Sequence, residues 1–389
     1  MKRNLSPIIT LKKHPFFVGV VNADIQNNIP KTIDFKLGVD QKLSIPRQLL
    51  NNEILSALKN AYNMGSMIST PLGESHLSTQ RMNGFIDVIL NCLKNKIRGK
   101  NFLEIGCGNG CLLNEINKKG GIVTGLEIGP QAINAKEKYG LEIINKSIEE
   151  YQTESKYDCI FSYGCLEHII DLERFFELCR KLLKKKGLFL HQVPNIDISI
   201  NNGLIDQLQH EHINYFNPEN ALPLIQNQGF INSGYQLSKE GNEMAIWGYY
   251  DDQKKLGWPT YRYIEEKNKI ESFSKSIDQS TKVITETINK IIKNRKTIGF
   301  YAGGFEYSSM LNKKDIRYFD GDDFKVGKSW IIKEPLIEPI SNLIKEPVDY
   351  IIVFKTHYFK AIKKKLIELG VNDNSIIDIG EIEILQKEF

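Results

Sequence analysis

Asn101-Phe102-Leu103-Glu104-Ile105-Gly106-Cys107-Gly108-Asn109-Gly110 runs from an apolar strand into a glycine-rich turn, and the helix-like Cys111-Leu112-Leu113-Asn114-Glu115-Ile116 follows at once. Glycine at every second position lets the backbone bend sharply and leaves no side chain between its N–H groups and a ligand. Gly121-Ile122-Val123-Thr124-Gly125-Leu126-Glu127 reads as a second short strand ending in an acid, with a helix from about Cys111 to Lys119 in between. Strand, helix and strand make a right-handed βαβ unit with a nucleoside site at its mouth. A carboxylate at Glu127 has acceptors for both hydroxyls of a ribose.

Two cofactors compete for such a mouth. A dinucleotide fingerprint has glycine at its first, third and sixth positions, but the sixth position counted from Gly106 is Cys111. The E-x-G-x-G-x-G form resembles motif I of the class I S-adenosylmethionine (SAM) methyltransferases. That resemblance implies a cofactor site at Glu104, Gly106, Cys107, Gly108, Gly110, Glu127 and Ile128. Ser147 is expected beside the adenine and Tyr163 at the rim. A plain structural βαβ turn with a surface acid stays open as the alternative.

Outward from this turn, Ser78-Thr79 followed by Phe85, Val88, Ile89 and Leu93 reads as a capped amphipathic helix leading into the strand. Downstream, helix Gln131 to Tyr139, strand Leu141 to Ile144, strand Tyr157 to Ser162, helix Leu172 to Lys185 and strand Gly187 to Val193 continue the alternation. The catalytic sheet is expected to close near residue 252, after helix Glu219 to Gln228 and the runs Phe230-Ile231 and Glu243 to Tyr250. A long helix, Tyr261 to about Lys296, precedes a second α/β alternation: strand Thr297 to Tyr301, the turn Ala302-Gly303-Gly304, helix Glu306 to Leu311 and later strands. Upstream, Phe16 to Val21 and Thr32 to Leu37 suggest a small β-rich module, and Tyr62 opens a polar, glycine-bearing loop to Gly73. The expected fold is therefore α/β, with a Rossmann-like sheet at 76–252, a smaller Rossmann-like domain at 253–389 and an accessory module at 1–75.

Hydrophobic content of 41% and charged content of 25% belong to an ordinary globular chain, and a net charge of +4 is too small and too scattered to suggest nucleic acid. Lys184-Lys185-Lys186 and Lys363-Lys364-Lys365 read as solvated helix surface. No stretch approaches the about 20 apolar residues of a membrane span, and the amino end lacks an apolar run suited to a leader, so a cytoplasmic protein is expected. The six cysteines include no C-x-x-C pair, so neither disulfides nor a metal are expected.

Two stretches stand out for chemistry: Glu167-His168 after the fourth strand, and His210-Glu211-His212. In an extended segment His210 and His212 share one face and Glu211 takes the other. Metal ligation lacks an obviously placed third ligand, structural histidines are an ordinary finding, and acid/base service fits a side chain that titrates near neutrality.

The chain resembles, over nearly its whole length, the sugar C-methyltransferase family that modifies nucleotide-linked keto-deoxysugars. The resemblance rests on Glu104 to Gly110, Leu166-Glu167-His168, Asp206-Gln207-Leu208-Gln209-His210-Glu211-His212-Ile213-Asn214-Tyr215-Phe216, Phe300 to Gly304, Tyr318-Phe319-Asp320 and Lys325-Val326-Gly327. It implies that His212 is a base, Glu211 its carboxylate partner and His168 a second active-site histidine. It also implies an acceptor site drawing on Tyr62, Gln209, His210, Gly303 and Asp320. The chain departs from the family in having no cysteine in its N-terminal module, so the family's zinc site is missing, and in carrying Gln209, Gln192 and Glu306 where the family has Tyr, Glu and small residues. The resemblance implies a SAM-dependent transfer to a nucleotide-activated sugar, by attack of an enolate carbon, in surface-glycan or secondary-metabolite synthesis. O-methylation of a sugar or other small polar acceptor, a non-catalytic nucleotide-sugar-binding protein and a nicotinamide-dependent oxidoreductase are the alternatives. A monomer or homodimer is expected.

Overall fold

The computed structural model describes residues 5–16, 19–22, 29–63, 71–311, 316–331 and 335–387. Part of the expected strand Phe16 to Val21, and residues 64–70 of the loop after Tyr62, lie outside them.

Near the amino end, β1 (Ile9–Pro15), β2 (Thr32–Val39) and β3 (Pro46–Gln48) form a three-stranded sheet in that order. Then come α1 (Asn52–Asn63), α2 (His76–Cys92), β4 (Asn101–Ile105), α3 (Cys111–Lys118), β5 (Ile122–Leu126), α4 (Gln131–Tyr139), β6 (Glu142–Ile144) and β7 (Tyr157–Tyr163). They continue with α5 (Leu172–Leu182), β8 (Leu183–Pro194), α6 (Asp197–Asn202), α7 (Pro218–Asn227), β9 (Phe230–Leu237) and β10 (Glu243–Tyr250). Seven of these strands make one sheet in the order β6-β5-β4-β7-β8-β10-β9. It is parallel from β6 to β8, with β10 antiparallel to both β8 and β9. This is the expected class I methyltransferase sheet.

Both faces of the sheet are buried, which is why its strands read as continuous apolar runs. Leu103, Ile160 and Phe189 pack with Phe175, Phe176 and Cys179 of α5 on one face. Their neighbours Phe102, Phe161 and Leu190 pack with Phe85 and Ile89 of α2 and Leu113 and Ile116 of α3 on the other. Each such side chain contributes about 1.5–3 kcal/mol on full burial.

Two expectations shift locally. The first cap of α2 is Ser75, in a reciprocal capping box with Ser78, so Ser78 sits inside the first turn. Helix α5 stops at Leu182, and Leu183 pairs with Tyr157 as the start of β8. Lys184 and Lys185 therefore belong to a strand and pair with Asp158 (2.7 Å) and Asp252 (2.9 Å), and are not at a helix end.

The carboxyl-terminal part contains α8 (Tyr263–Lys293), β11 (Ile298–Tyr301), β12 (Ile316–Asp320), β13 (Ile337–Pro339), α9 (Ser341–Lys345), β14 (Tyr350–Val353), α10 (Phe359–Glu368) and β15 (Ile376–Asp378). Its five strands form a parallel sheet in the order β13-β12-β11-β14-β15, the expected second Rossmann-like sheet. Tyr301, Phe319, Ile351, Val353 and Leu366 share one core. The expected helix after Gly304 is a 3-10 helix, Phe305–Met310.

Contacts divide the chain into one unit of residues 1–8, 37–197 and 211–269 and a second of 9–36, 198–210 and 270–389. Among the described residues no helix is long and apolar enough to cross a membrane.

Candidate active site

The turn after β4 uses its glycines. Gly106, Gly108 and Gly110 have φ of 70°, 51° and 71°, a region other residues enter at a cost of about 1–2 kcal/mol. A Cβ on Gly110 would sit 3.1 Å from the Cβ of Ala135, and one on Gly106 3.0 Å from the Sγ of Cys165. Gly110 caps α3 with no side chain over the helix start. The N–H groups of Gly106 and Cys107 donate to the Leu126 carbonyl at 2.8 and 3.0 Å, locking the turn to the end of β5.

Glu127, next along from β5, closes the bend from the other side. One carboxylate oxygen accepts the Gly108 N–H (2.8 Å), and the other accepts the Gly129 N–H (2.7 Å) and the Gln131 side-chain amide (3.1 Å). A carboxylate offers about four acceptor positions, so a ribose would share this group with three donors already on it. Glu104 is buried, and burial together with the Glu127 charge pushes its carboxyl well above the usual range. Its Oε2 has no hydrogen-bond partner among the described residues. A side-chain-free bend with an unpaired buried acceptor beneath it suits a ligand that brings a ribose and an ammonium group. Ile128 is 55% exposed at this rim, available to a flat ring. Ser147 is half-buried, with its N–H on Glu150 (3.2 Å). The Tyr163 hydroxyl donates to Glu243 (2.8 Å), which also pairs with Arg81 and receives Gln192 (3.3 Å).

A second group of side chains stands beside the turn, linked to it through Cys165. After β7 the chain makes a 3-10 turn, Leu166–His168. The Glu167 carbonyl accepts the N–H groups of Ile213 (2.8 Å) and Asn214 (2.9 Å), and the Asn214 amide donates to Ile169 O (2.7 Å). These bonds hold residues 211–214 against the 3-10 turn. His168 donates from Nδ1 to the Glu211 carbonyl (2.8 Å), which leaves Nε2 as its lone-pair nitrogen. The rings of His168 and His212 have centroids 5.3 Å apart.

Burial dominates the electrostatics. It lowers His168 to about 4 and raises Glu167 to about 8. Glu211 is likewise raised to about 8, opposed by a hydrogen bond from Tyr62. Oε2 of Glu167 and of Glu211 have no hydrogen-bond partner among the described residues.

The structure thus brings Tyr62, Glu211, His212 and His168 together and adds Glu167. It treats His210 differently. Residues 210 and 211 form a turn and not an extended strand, so His210 and His212 do not share a face. The buried His210 ring lies in the second unit, 5.5 Å from His14, 5.2 Å from Phe16 and 5.6 Å from Phe35 by centroids, and burial lowers it to about 3. Gln209 donates to the Asp206 carbonyl (3.1 Å). In the same unit the Gly304 N–H donates to the chain's own Glu306 carboxylate (2.8 Å), beside Gly303, and Asp320 pairs with Lys325 (2.9 Å). Sequence reasoning missed Arg81 and Glu243, the partners of Tyr163, which carry no local signal.

Residues 77–232 match the family model described as a methyltransferase domain. The cofactor of such a domain is S-adenosylmethionine. Ubiquinone biosynthesis O-methyltransferase of Vibrio atlanticus is 32% identical over 97 residues, 23% of this chain and 41% of that protein. The Pasteurella multocida protein of the same name is 30% identical over 118 residues, 26% of this chain and 49% of that protein. The chain thus spans less than half the length of these curated relatives. Among solved structures, the N-methyltransferase NodS of Bradyrhizobium japonicum with S-adenosyl-L-homocysteine is similar at 14% identity and TM-score 0.39, over 52% of this chain and 100% of that one. A SAM-dependent methyltransferase of Archaeoglobus fulgidus is similar at 18% identity and TM-score 0.36, over 44% and 98%.

Proposed function

We propose that the class I, SAM-dependent methyltransferase domain at residues 77–232 works in this chain on a nucleotide-activated sugar, or a related precursor of a surface glycan or secondary metabolite. One observation carries the reading: His168, His212, Glu211 and Tyr62 gather beside the glycine turn, where an acceptor would meet a methyl donor. SAM supplies an electrophilic methyl group on a sulfonium centre.

The chain's own residues do the rest. Glu127 and the glycine bend orient the donor, with Glu104 beneath. The His168–Glu211 carbonyl bond fixes which imidazole nitrogen faces the acceptor. Burial keeps His168 neutral, with its Nε2 lone pair open toward the acceptor. In C-methylation the proton removed lies beside a ketone and the resulting enolate carbon is the nucleophile. In O-methylation it is a hydroxyl proton. The names of the curated relatives favour oxygen, and the His210-Glu211-His212 resemblance favours carbon.

Incubation of the protein with SAM and a panel of nucleotide-linked sugars, keto and hydroxy, tests this. A mass gain of one CH2 in an acceptor supports it, and fragmentation assigns the methyl to carbon or oxygen. His212→Ala is expected to lose turnover and keep SAM affinity. No SAM binding by calorimetry overturns the proposal.

A further inference from the structure

The side chains Glu167, His168 and His212 are more than an acid/base group. Each offers one ligand atom, and all three atoms lie within 4.8 Å of one another. Donors bound to one ion at about 2.1 Å stand at most about 4.2 Å apart, so small side-chain rotations close the set. We propose that these three residues hold a divalent metal ion of the zinc, cobalt or manganese type, with a coordination position left for an oxygen of the acceptor.

Four features support a built site. His168 is aimed by its Nδ1–H on the Glu211 carbonyl at 2.8 Å, the outer-sphere bond that orients metal-bound imidazoles. That leaves Nε2 directed at Glu167, whose Oε1 is 3.8 Å away. Glu167 is 3% exposed and its Oε2 meets no donor, a costly state for a carboxyl that an ion would relieve. The two ligand-bearing segments are tied together by the Ile213 and Asn214 bonds to the Glu167 carbonyl, so the geometry does not depend on the ion. The His168 side chain is 19% exposed, which gives an entry path. Two imidazoles and one carboxylate suit borderline ions better than magnesium or calcium, which want oxygen alone.

The ion's use rests on the methyl-transfer reading: bound to an acceptor oxygen, it makes loss of that group's proton to water easier. The two imidazoles then act through the ion and do not take the proton themselves.

The test is a titration of the chelator-treated, dialysed full-length chain with cobalt(II) alone. The expected result is visible d–d absorption of a low-symmetry nitrogen–oxygen site, saturating at one ion per chain. Glu167→Gln and His212→Gln should each abolish the bands while keeping the parent's circular dichroism, and His76→Gln, at an exposed histidine, should leave them unchanged. Absence of the bands in the parent overturns the site whatever the variants do, as does their persistence in a folded His212→Gln chain. SAM titrations on the same samples separate the two proposals. Cobalt bound without SAM refutes the methyl-transfer reading alone, and SAM bound without cobalt refutes the metal site alone.

Discussion

Glu127→Gln tests the cofactor cradle most directly, because three donors converge on two oxygens at 2.7–3.1 Å. An amide keeps one of those oxygens and turns the other into a donor. The less costly orientation keeps the oxygen that serves Gly129 and Gln131 and sets the NH2 against the Gly108 N–H. Losing a hydrogen bond to a charged acceptor costs about 1.5–3 kcal/mol, which translates to a melting midpoint lower by roughly 3–12 °C for a unit of this size. If the same energy is lost from ribose recognition, SAM affinity falls roughly 10- to 100-fold. Thermal melts and calorimetric titration with SAM measure the two effects separately. Gln131→Ala, which removes only the bond at 3.1 Å, should do little to either. A Glu127→Gln chain that melts with the parent and binds SAM within about twofold of it would refute the assigned role of this carboxylate.

Gly110→Ala forces a left-handed residue at φ 71° and a Cβ 3.1 Å from Ala135; urea denaturation should show at least about 1–2 kcal/mol lost, with SAM affinity reduced. Buried His191, lowered to about 3, is neutral in the folded chain and protonated once unfolded below its ordinary 6.5. The unfolded state thus binds more protons, and stability falls as pH drops from about 6.5 toward 3, by about 2 kcal/mol at pH 5 from this group. His168 and His210 are lowered too, and Glu167 and Glu211 are raised, so the difference between parent and His191→Leu melts across that range should show this group's loss. In the second unit, Glu306→Ala leaves the Gly304 N–H without its 2.8 Å acceptor, so hydrogen exchange around Gly304 should quicken and that unit lose about 1–3 kcal/mol.

What was legible in the sequence was local. Alternating glycines after an apolar strand, an acid one step past the next strand, and helix periodicity between them specified β4, the turn, α3 and β5 without reference to anything distant. Helix α4 runs over Gln131–Tyr139 as its pattern indicates. The end of α5 was not legible: Leu183 continues a helical pattern, and only pairing with Tyr157 makes it a strand, a ladder outweighing a propensity worth a few tenths of a kcal/mol.

The site divides in the same way. The residue types of Glu167-His168 and Glu211-His212 pointed to chemistry, and the amino-acid order alone placed both after strands of one sheet. Tertiary structure decided the rest. A turn, not a strand, separates His210 from His212, and sends one imidazole among His14, Phe16 and Phe35 and the other to His168. Backbone bonds from Ile213 and Asn214 hold Glu167 beside the two imidazoles. At Gly304 the chain's own Glu306 carboxylate, two residues on, takes the backbone N–H at 2.8 Å. Periodicity and turn chemistry are properties of neighbours along the chain. Which buried polar atoms meet is set by packing between distant segments, and that is written in no short stretch of residues.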